Sequence, residues 1–309
     1  MSTVFRLSKT DYITRRWRPR YTYTTIYYYN GEECDSICES SSVSYNKGRI
    51  SASGSFRENG NEDEDKVVYY YFPDDIRNVI ANSPSAEINA VNGLIEKNII
   101  ADPIKTIIRR NDHIIGGECK DYQIESGIPL LKSLYKIKNT NNSRQTAPII
   151  DGNNINYLAD LYKEGEILTY DENHNPEHIK INDMQSRIYV WGYDGRFPIA
   201  VIDNLDYESF NTDTTLKFML HGLEQYRKIE TEQDCINLRN VNASIRQMLP
   251  EGAHITTYTY DPYFGMTSET SDSNVGTIYT YDSFGRLSAK YDTFFKKIEE
   301  YNYNYYLQR

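Results

Sequence analysis

Thr257-Tyr-Thr-Tyr-Asp261, Ile278-Tyr-Thr-Tyr-Asp282 and Glu300-Tyr-Asn-Tyr-Asn304 carry paired tyrosines at Tyr258/Tyr260, Tyr279/Tyr281 and Tyr301/Tyr303, spaced 21 and then 22 residues apart. Residues at i and i+2 share one face of a strand, so each unit offers a two-ring face. The aspartate that follows, Asp261 or Asp282, is placed to accept hydrogen bonds from a turn backbone. Gly265 and Gly285 can supply the positive φ that such a turn needs. Met266 to Thr270 and Arg286 to Tyr291 then return antiparallel. One hairpin cannot bury its own face, so the period predicts a meander in which each unit leans on the next. The three tyrosine pairs are expected in adjacent antiparallel strands of one curved sheet.

Upstream the same alternation recurs without the period. Tyr21-Thr-Tyr-Thr-Thr-Ile-Tyr-Tyr-Tyr29 precedes Asn30-Gly31, a strong hairpin signal, and a two-residue loop there would set Tyr29 opposite Glu32, Tyr27 opposite Cys34 and Tyr23 opposite Cys38. Gly48 to Phe56 and Val67 to Phe72 read as strands, and Ile99 to Arg110 with His113 to Ile124 as a hairpin about Asn111-Asp112. Ile188 to Tyr193 and Ile199 to Ile202 read as strands broken by Gly195 and Pro198. Only Thr214 to Leu249 changes period. Leu216, Met219, Leu220 and Leu223, then Ile236, Leu238, Val241, Ile245 and Met248, recur at helical spacing. Thr231 is the expected N-cap of the second helix and Pro250 its end. Such a pair is expected to cover an edge or open end of the sheet.

Composition narrows the class. The 309 residues are 39% hydrophobic and 25% charged, with 29 tyrosines, which excludes a disordered tail and favours strands. The net charge of −10 repels a phosphate backbone and argues against nucleic-acid binding, although residues 1–20 are locally basic. No apolar run is long enough to insert in a membrane, and no signal-peptide core follows the early charges. Four cysteines make no disulfide framework. Cys34 and Cys38, if extended, stand roughly 13 Å apart at about 3.3 Å per residue, too far to bridge. Cys119 and Cys235 read as small buried hydrophobes.

The pattern Tyr-Asp-x2-Gly-Arg, most complete at Tyr281-Asp282-Ser-Phe-Gly285-Arg286-Leu287, resembles the YD repeat of the bacterial RHS-type family. Tyr170-Asp171-Glu-Asn-His174-Asn-Pro176 resembles a degenerate unit with His174 where glycine is usual. Val190-Trp191-Gly192-Tyr193-Asp-Gly-Arg-Phe-Pro-Ile-Ala200 is similar to the Trp-Gly-Tyr strand of family members. The resemblance is closest over 165–309, looser over 67–164 and absent from 1–66. It implies a mainly β fold of antiparallel YD-repeat hairpins forming a curved, spiralling sheet, a partial shell, with a small helical insertion. It further implies a toxin-associated protein that is secreted or at the cell surface. Lacking a signal peptide, the chain is cytoplasmic as written or part of a longer exported protein, a C-terminal portion or reduced copy of the repeat region. The organisation expected is an N-terminal hairpin segment at 1–66, irregular repeat units at 67–205, a helical pair at 206–250 and YD repeats at 251–309.

Catalytic patterns are weighed against that scaffold. His174-Asn-Pro-Glu177-His178 matches H-x-x-E-H, a zinc metalloprotease pattern, but the chemistry needs both histidines on one helical face, and Pro176 breaks a helix. Asp74-Asp75 and Asp203 with Asp206 are carboxylate pairs of the kind a glycosidase uses. No G-x-S-x-G, Walker loop or G-x-G-x-x-G occurs. His113, His221 and His254 show no partner in sequence. The expectation is a non-enzymatic scaffold without cofactor or metal. Its partners would be other repeat segments or a second copy, docked through sheet edges such as the Tyr301 to Tyr306 strand. The alternative is a module binding glycan or protein through Tyr-, Asn- and Asp-rich faces.

Overall fold

The computed structural model describes residues 4–5, 14–15, 18–19, 21–30, 33–58, 64–76, 85–110, 113–138, 149–151, 154–156 and 160–303. Among them the fold is mainly antiparallel β with a few short helices, and it divides into two units, residues 1–164 and 165–309. No helix among the described residues is long and apolar enough to cross a membrane.

In the first unit β1 (Tyr21–Asn30), β2 (Glu33–Asn46), β3 (Arg49–Glu58), β4 (Glu64–Tyr71), β5 (Lys105–Arg110), β6 (His113–Glu125) and β7 (Ile128–Ile137) each pair antiparallel with the next. The β1/β2 register differs from expectation by two residues: Tyr29 opposes Cys34, Tyr27 opposes Ser36 and Tyr23 opposes Ser40. Asn30 stays in the ladder opposite Glu33, so the connection falls on residues 31–32 and each strand is one pair longer. The Asn111-Asp112 hairpin forms as expected, with Arg110 opposite His113. Cys34 and Cys38 lie on the one strand β2. Between β4 and β5, α1 (Ala86–Glu96) contradicts the expectation that only Thr214 to Leu249 is helical. Ser85 caps it by accepting from the Ile88 N–H at 3.3 Å. Its Ile88 and Val91 join Ile107, Ile114, Cys119 and Ile137 in a core. Burial pushes the Cys119 thiol up to about 12, as befits a packing residue.

The second unit is an open meander. Strand β8 (Leu161–Tyr170, in this unit from Gly165 on) is followed by β9 (Pro176–Ile181), β10 (Gln185–Gly192) and β11 (Phe197–Asp203). After the helices α2 (Tyr207–Thr212), α3 (Thr214–His221) and α4 (Glu232–Met248) come β12 (His254–Asp261), β13 (Gly265–Thr270), β14 (Gly276–Tyr281), β15 (Leu287–Asp292) and β16 (Lys297–Glu300). Each strand pairs with the next, and β11 meets β12 across the helical insertion. Pro198 lies inside β11 rather than breaking it. It opposes Trp191 beside a register shift, where a missing N–H is tolerated.

Two expectations about the tyrosines are corrected. The pairs Tyr258/Tyr260 and Tyr279/Tyr281 share one sheet but not adjacent strands, because each repeat contributes two strands and β13 runs between β12 and β14. Tyr301 and Tyr303 follow β16 instead of lying in a strand of their own, although the Tyr301 N–H donates to the Ser288 carbonyl at 2.8 Å. The remainder of the expected 301–306 edge strand, from residue 304 on, lies outside the described residues.

The hairpins repeat one irregularity. In five of them the return strand holds an extra residue opposite the step before the turn: Glu177 against Thr169/Tyr170, Ile199 against Val190/Trp191, Thr267 against Thr259/Tyr260, Ser288 against Thr280/Tyr281 and Ile298 against Lys290/Tyr291, whereas β9/β10 and β13/β14 pair without a shift. Such bulges bend a strand and raise its twist.

The helices cover a face of the sheet, not an edge or open end. Ile188, Val190, Ala200, Ile202 and Ile255 pack with Leu216, Leu220, Leu223, Leu238 and Ile245. The expected pair is three helices and a 3-10 turn, Gly222–Gln225, because two aspartates restart the chain. Asp206 Oδ2 accepts from the Ser209 N–H (2.8 Å) and Asp213 Oδ1 from the Leu216 N–H (2.9 Å), each opening a new helix. Thr231 caps α4 as expected, in a reciprocal box with Asp234.

Part of the covered face is hydroxylic. Thr257, Thr259, Thr267, Ser268 and Thr270 are all buried, as is Asn242 of α4. Asn242 Oδ1 accepts from the Thr257 hydroxyl at 2.8 Å, and its Nδ2 donates to Thr270 Oγ1 at 3.3 Å. The hydroxyls of Thr259 and Thr267 lie 2.8 Å apart, and Thr267 donates to the Tyr226 carbonyl. A satisfied buried network is neutral, whereas one missing member leaves its partners dry and unpaired. Asn242→Ala is therefore expected to cost about 1–3 kcal/mol. Urea denaturation would show a lower midpoint with an unchanged m-value.

Candidate functional site: the repeat turns and the adjoining cleft

Three turns share one set of bonds. Asp282 Oδ1 accepts from the Phe284 and Arg286 N–H groups (2.8 and 3.0 Å). Its own N–H donates to the Arg286 carbonyl, and the Gly285 N–H donates back to the Asp282 carbonyl (2.9 and 3.0 Å). Asp171 does the same with Asn173, Asn175 and His174, and Asp292 with Phe294, Lys296 and Phe295. The residue before the last is left-handed in all three, at φ 64 for His174, 74 for Gly285 and 60 for Phe295. His174 thus takes the place of glycine, as its position in the degenerate unit implies. The Asp292 turn went unread in sequence because Phe295 and Lys296 stand where glycine and arginine mark the motif. At Asp261 the bonding is partial: Oδ1 accepts from the Tyr263 N–H at 2.9 Å, and Gly265 has φ 125.

The other motif residues are structural as well. Arg286 donates through Nε to Asp282 Oδ2 at 2.8 Å and lies 4.2 Å from the Tyr303 ring centre. Tyr281 donates its hydroxyl to the Met266 carbonyl, and Tyr303 to that of Leu287 (2.7 and 2.9 Å). Tyr258 and Tyr279 are half-buried and flank Glu269, while Tyr260 is buried against Phe197, the ring centres 4.7 Å apart. Tyr301 lies under the Lys290 ammonium. Tyr170 opposes Pro176, whose carbonyl accepts from the Trp191 indole N–H at 2.8 Å. Tyr193 is buried with its hydroxyl accepting from the Tyr260 N–H at 2.9 Å. The Tyr193 N–H in turn donates to Glu224 Oε2 at 2.8 Å, an approach that depends on Gly192. A Cβ there would meet Ile199 Cγ2 at 2.7 Å and Glu224 Oε1 at 2.9 Å.

Most residues weighed for chemistry are engaged elsewhere. His174 is in a turn and His178 on strand β9, not on one helical face. The bulge at Glu177 lets both neighbours reach Tyr207, whose hydroxyl donates to Glu177 Oε2 (2.8 Å) while its ring stacks on His178 at 4.6 Å. Ser186 lies 3.0 Å from His178 Nε2 but donates its proton to the Leu205 carbonyl, so the imidazole is the donor of the pair and not a base for that hydroxyl. Burial lowers the His178 pKa, which favours this neutral form. Asp74 binds Lys47 and Arg49, Asp75 accepts from the Phe72 N–H, Asp203 forms a two-bond pair with Arg187, and Asp206 caps α2. His221 finds Glu224 one turn on, and His254 finds Asp272 from the β13–β14 turn. Among the described residues no group of three or more His, Cys, Asp or Glu is arranged to hold a metal ion.

Beside these turns, β10, α2 and α3 enclose a cleft of about 370 Å³. The Asp171 turn, Trp191, Gly192 and Asp194 line one side and Phe210, Lys217, His221 and Glu224 the other.

No protein-family model matches the chain, and no curated protein matches it. Among solved structures it is similar to the TcdB2-TccC3 complex without its hypervariable C-terminal region, at 11% identity over 85% of this chain and 13% of that chain, with a TM-score of 0.30. A second TcdB2-TccC3 structure gives 12%, 85%, 13% and 0.29. The Photorhabdus luminescens Tc holotoxin pore gives 11%, 85%, 13% and 0.20. The chain thus spans a small part of those proteins' length, and at these scores the likeness carries no functional argument.

Two outcomes follow from the turns. The Arg286 hydrogen bond holds Asp282 below the ordinary aspartate value of 3.8, and the His254 bond does the same for Asp272. A depressed folded pKa adds stability above the ordinary value and loses it as pH falls through the folded one, so stability should drop in that acid window. Asp282→Asn should flatten the drop and Asp282→Ala should in addition lower the midpoint at neutral pH, read by urea denaturation across pH. Gly192→Ala should cost about 1–3 kcal/mol by overpacking, read as a fall in midpoint that Glu224→Ala in the same chain partly relieves.

Proposed function

We propose that the chain is a non-enzymatic scaffold of the RHS or YD-repeat type, part of a secreted or cell-surface assembly. The observation that carries this reading is the use to which the motif is put: Asp171, Asp282 and Asp292 accept from their own turn backbones, Arg286 pairs with Asp282, and the hydroxyls of Tyr193, Tyr281 and Tyr303 bond the backbone of the sheet. The residues that resemble catalytic patterns are held by side-chain partners, Glu177 and His178 by Tyr207 and Asp203 by Arg187. A meander of near-identical hairpins gains stability by stacking neighbours, and its natural partners are further repeat segments or a second copy meeting it by strand addition.

The reading is tested by removing the one motif a hydrolase would need. His178→Ala should cost roughly 1–2 kcal/mol from the lost stacking and hydrogen bond. It should leave no change in metal content, and the wild-type chain should carry no stoichiometric zinc by elemental analysis. Chelator-sensitive proteolysis by the wild-type chain that His178→Ala abolishes would overturn the scaffold reading.

A further inference from the structure

We propose that helix α1 is a proton-controlled cover on the first unit: it is held on the sheet while Asp121, buried on the face that α1 covers, carries a proton, and it opens more often as that proton leaves. The property is independent of the scaffold reading. Asp121 follows Cys119 by two residues on β6, so both side chains share one face, and Cys119 packs there with Ile88 and Val91 of α1. Asp121 is 5% exposed, and the one hydrogen bond it accepts among the described residues comes from the Tyr122 N–H at 2.9 Å. Ser133 stands opposite it on β7, next to a register shift, and is 1% exposed. The Ser133 hydroxyl has no hydrogen-bond partner, so it does not donate to the carboxylate. An ionised Asp121 is thus left with little to replace the water it has lost.

The charges around it come from three elements. Helix α1 brings Glu87 in its first turn, a like charge, while Lys132 of β7 and Lys163 of β8 oppose it. On β5, Lys105 lies opposite Cys119 with its ammonium 5.6 Å from the Tyr71 ring centre. Burial, and after it Glu87, outweigh the two lysines and push the Asp121 carboxyl up to about 6. When α1 lifts, water reaches the carboxyl and its value returns to the ordinary 3.8. Between those two values the covered state keeps a proton that the open state has released. Covering is therefore favoured in mild acid, weakens as pH rises from 3.8 through about 6, and levels off above. Lifting uncovers Ile107, Ile114 and Ile137, an apolar face.

The test is amide hydrogen exchange of the full chain, corrected for the intrinsic rate at each pH and read by mass spectrometry on the peptide that holds α1. The opening constant of α1 should rise roughly tenfold between about pH 5 and about pH 7.5. Asp121→Asn, which has no proton to lose, should show one constant at both. Glu87→Gln, on a half-buried side chain, should move the midpoint of the change to lower pH, and this variant decides the matter if Asp121→Asn does not fold. The proposal is overturned if α1 of the parent exchanges alike at both pH values, if the difference persists in Asp121→Asn, or if Glu87→Gln leaves the midpoint where it was.

Discussion

One carboxylate oxygen accepting two backbone N–H groups is the constraint on which the second unit depends. In the turns of Asp171, Asp282 and Asp292 it fixes a five-residue reversal whose fourth residue must be left-handed. In these three hairpins one residue is left over on the returning strand, and the bulge sits at the same place in each. Turn, bulge and strand direction are therefore set together by a side chain of four heavy atoms. A hydrophobic pattern alone would fix the face of each strand but not the place where it reverses.

The tyrosines have a different part from the one their spacing suggests. Successive pairs are two strands apart, so the rings of one unit do not stack on those of the next. Instead they reach neighbouring backbones: Tyr281 to Met266, Tyr303 to Leu287, and Tyr193 to the amide of Tyr260. A phenol suits this because its ring covers apolar surface while its hydroxyl satisfies a group that the bulge has freed. The face beneath the helices satisfies its polar groups with hydroxyls, Thr257 and Thr270 through Asn242 and Thr259 through Thr267 and Ser268.

Much of this was legible in the sequence, and the misses have physical causes. The alternating Tyr and Thr, the glycines at 265 and 285, and the Thr231 cap each act locally and read correctly. The Asp292 turn was hidden because a left-handed phenylalanine gives no sign of itself in sequence. Helix α1 was passed over although Ser85, Ile88, Val91 and Leu94 carry its cap and stripe, since Asn92 and Gly93 interrupt the run with poor helix formers. The β1/β2 register slipped because Asn30-Gly31 favours a turn locally, while ten residues of pairing favour one more rung. The cleft was beyond reach: Glu177, Trp191 and Glu224 line it only because a bulge, a strand and a helical insertion converge.

The recurring bulge also bears on how such a chain can grow. The units closed by the Asp171, Asp282 and Asp292 turns end in the same turn and bulge, so that device sets no preferred number of hairpins. An in-frame duplication or loss of 21 or 22 residues alters the arc's extent and leaves its curvature as it was. A single residue inserted within a strand, away from the turn or bulge that can absorb it, reverses the inward faces of the rest of that strand. Selection on such a gene should therefore tolerate copy-number drift of whole repeats far more readily than a lone codon insertion, and length would be the variable that lineages explore.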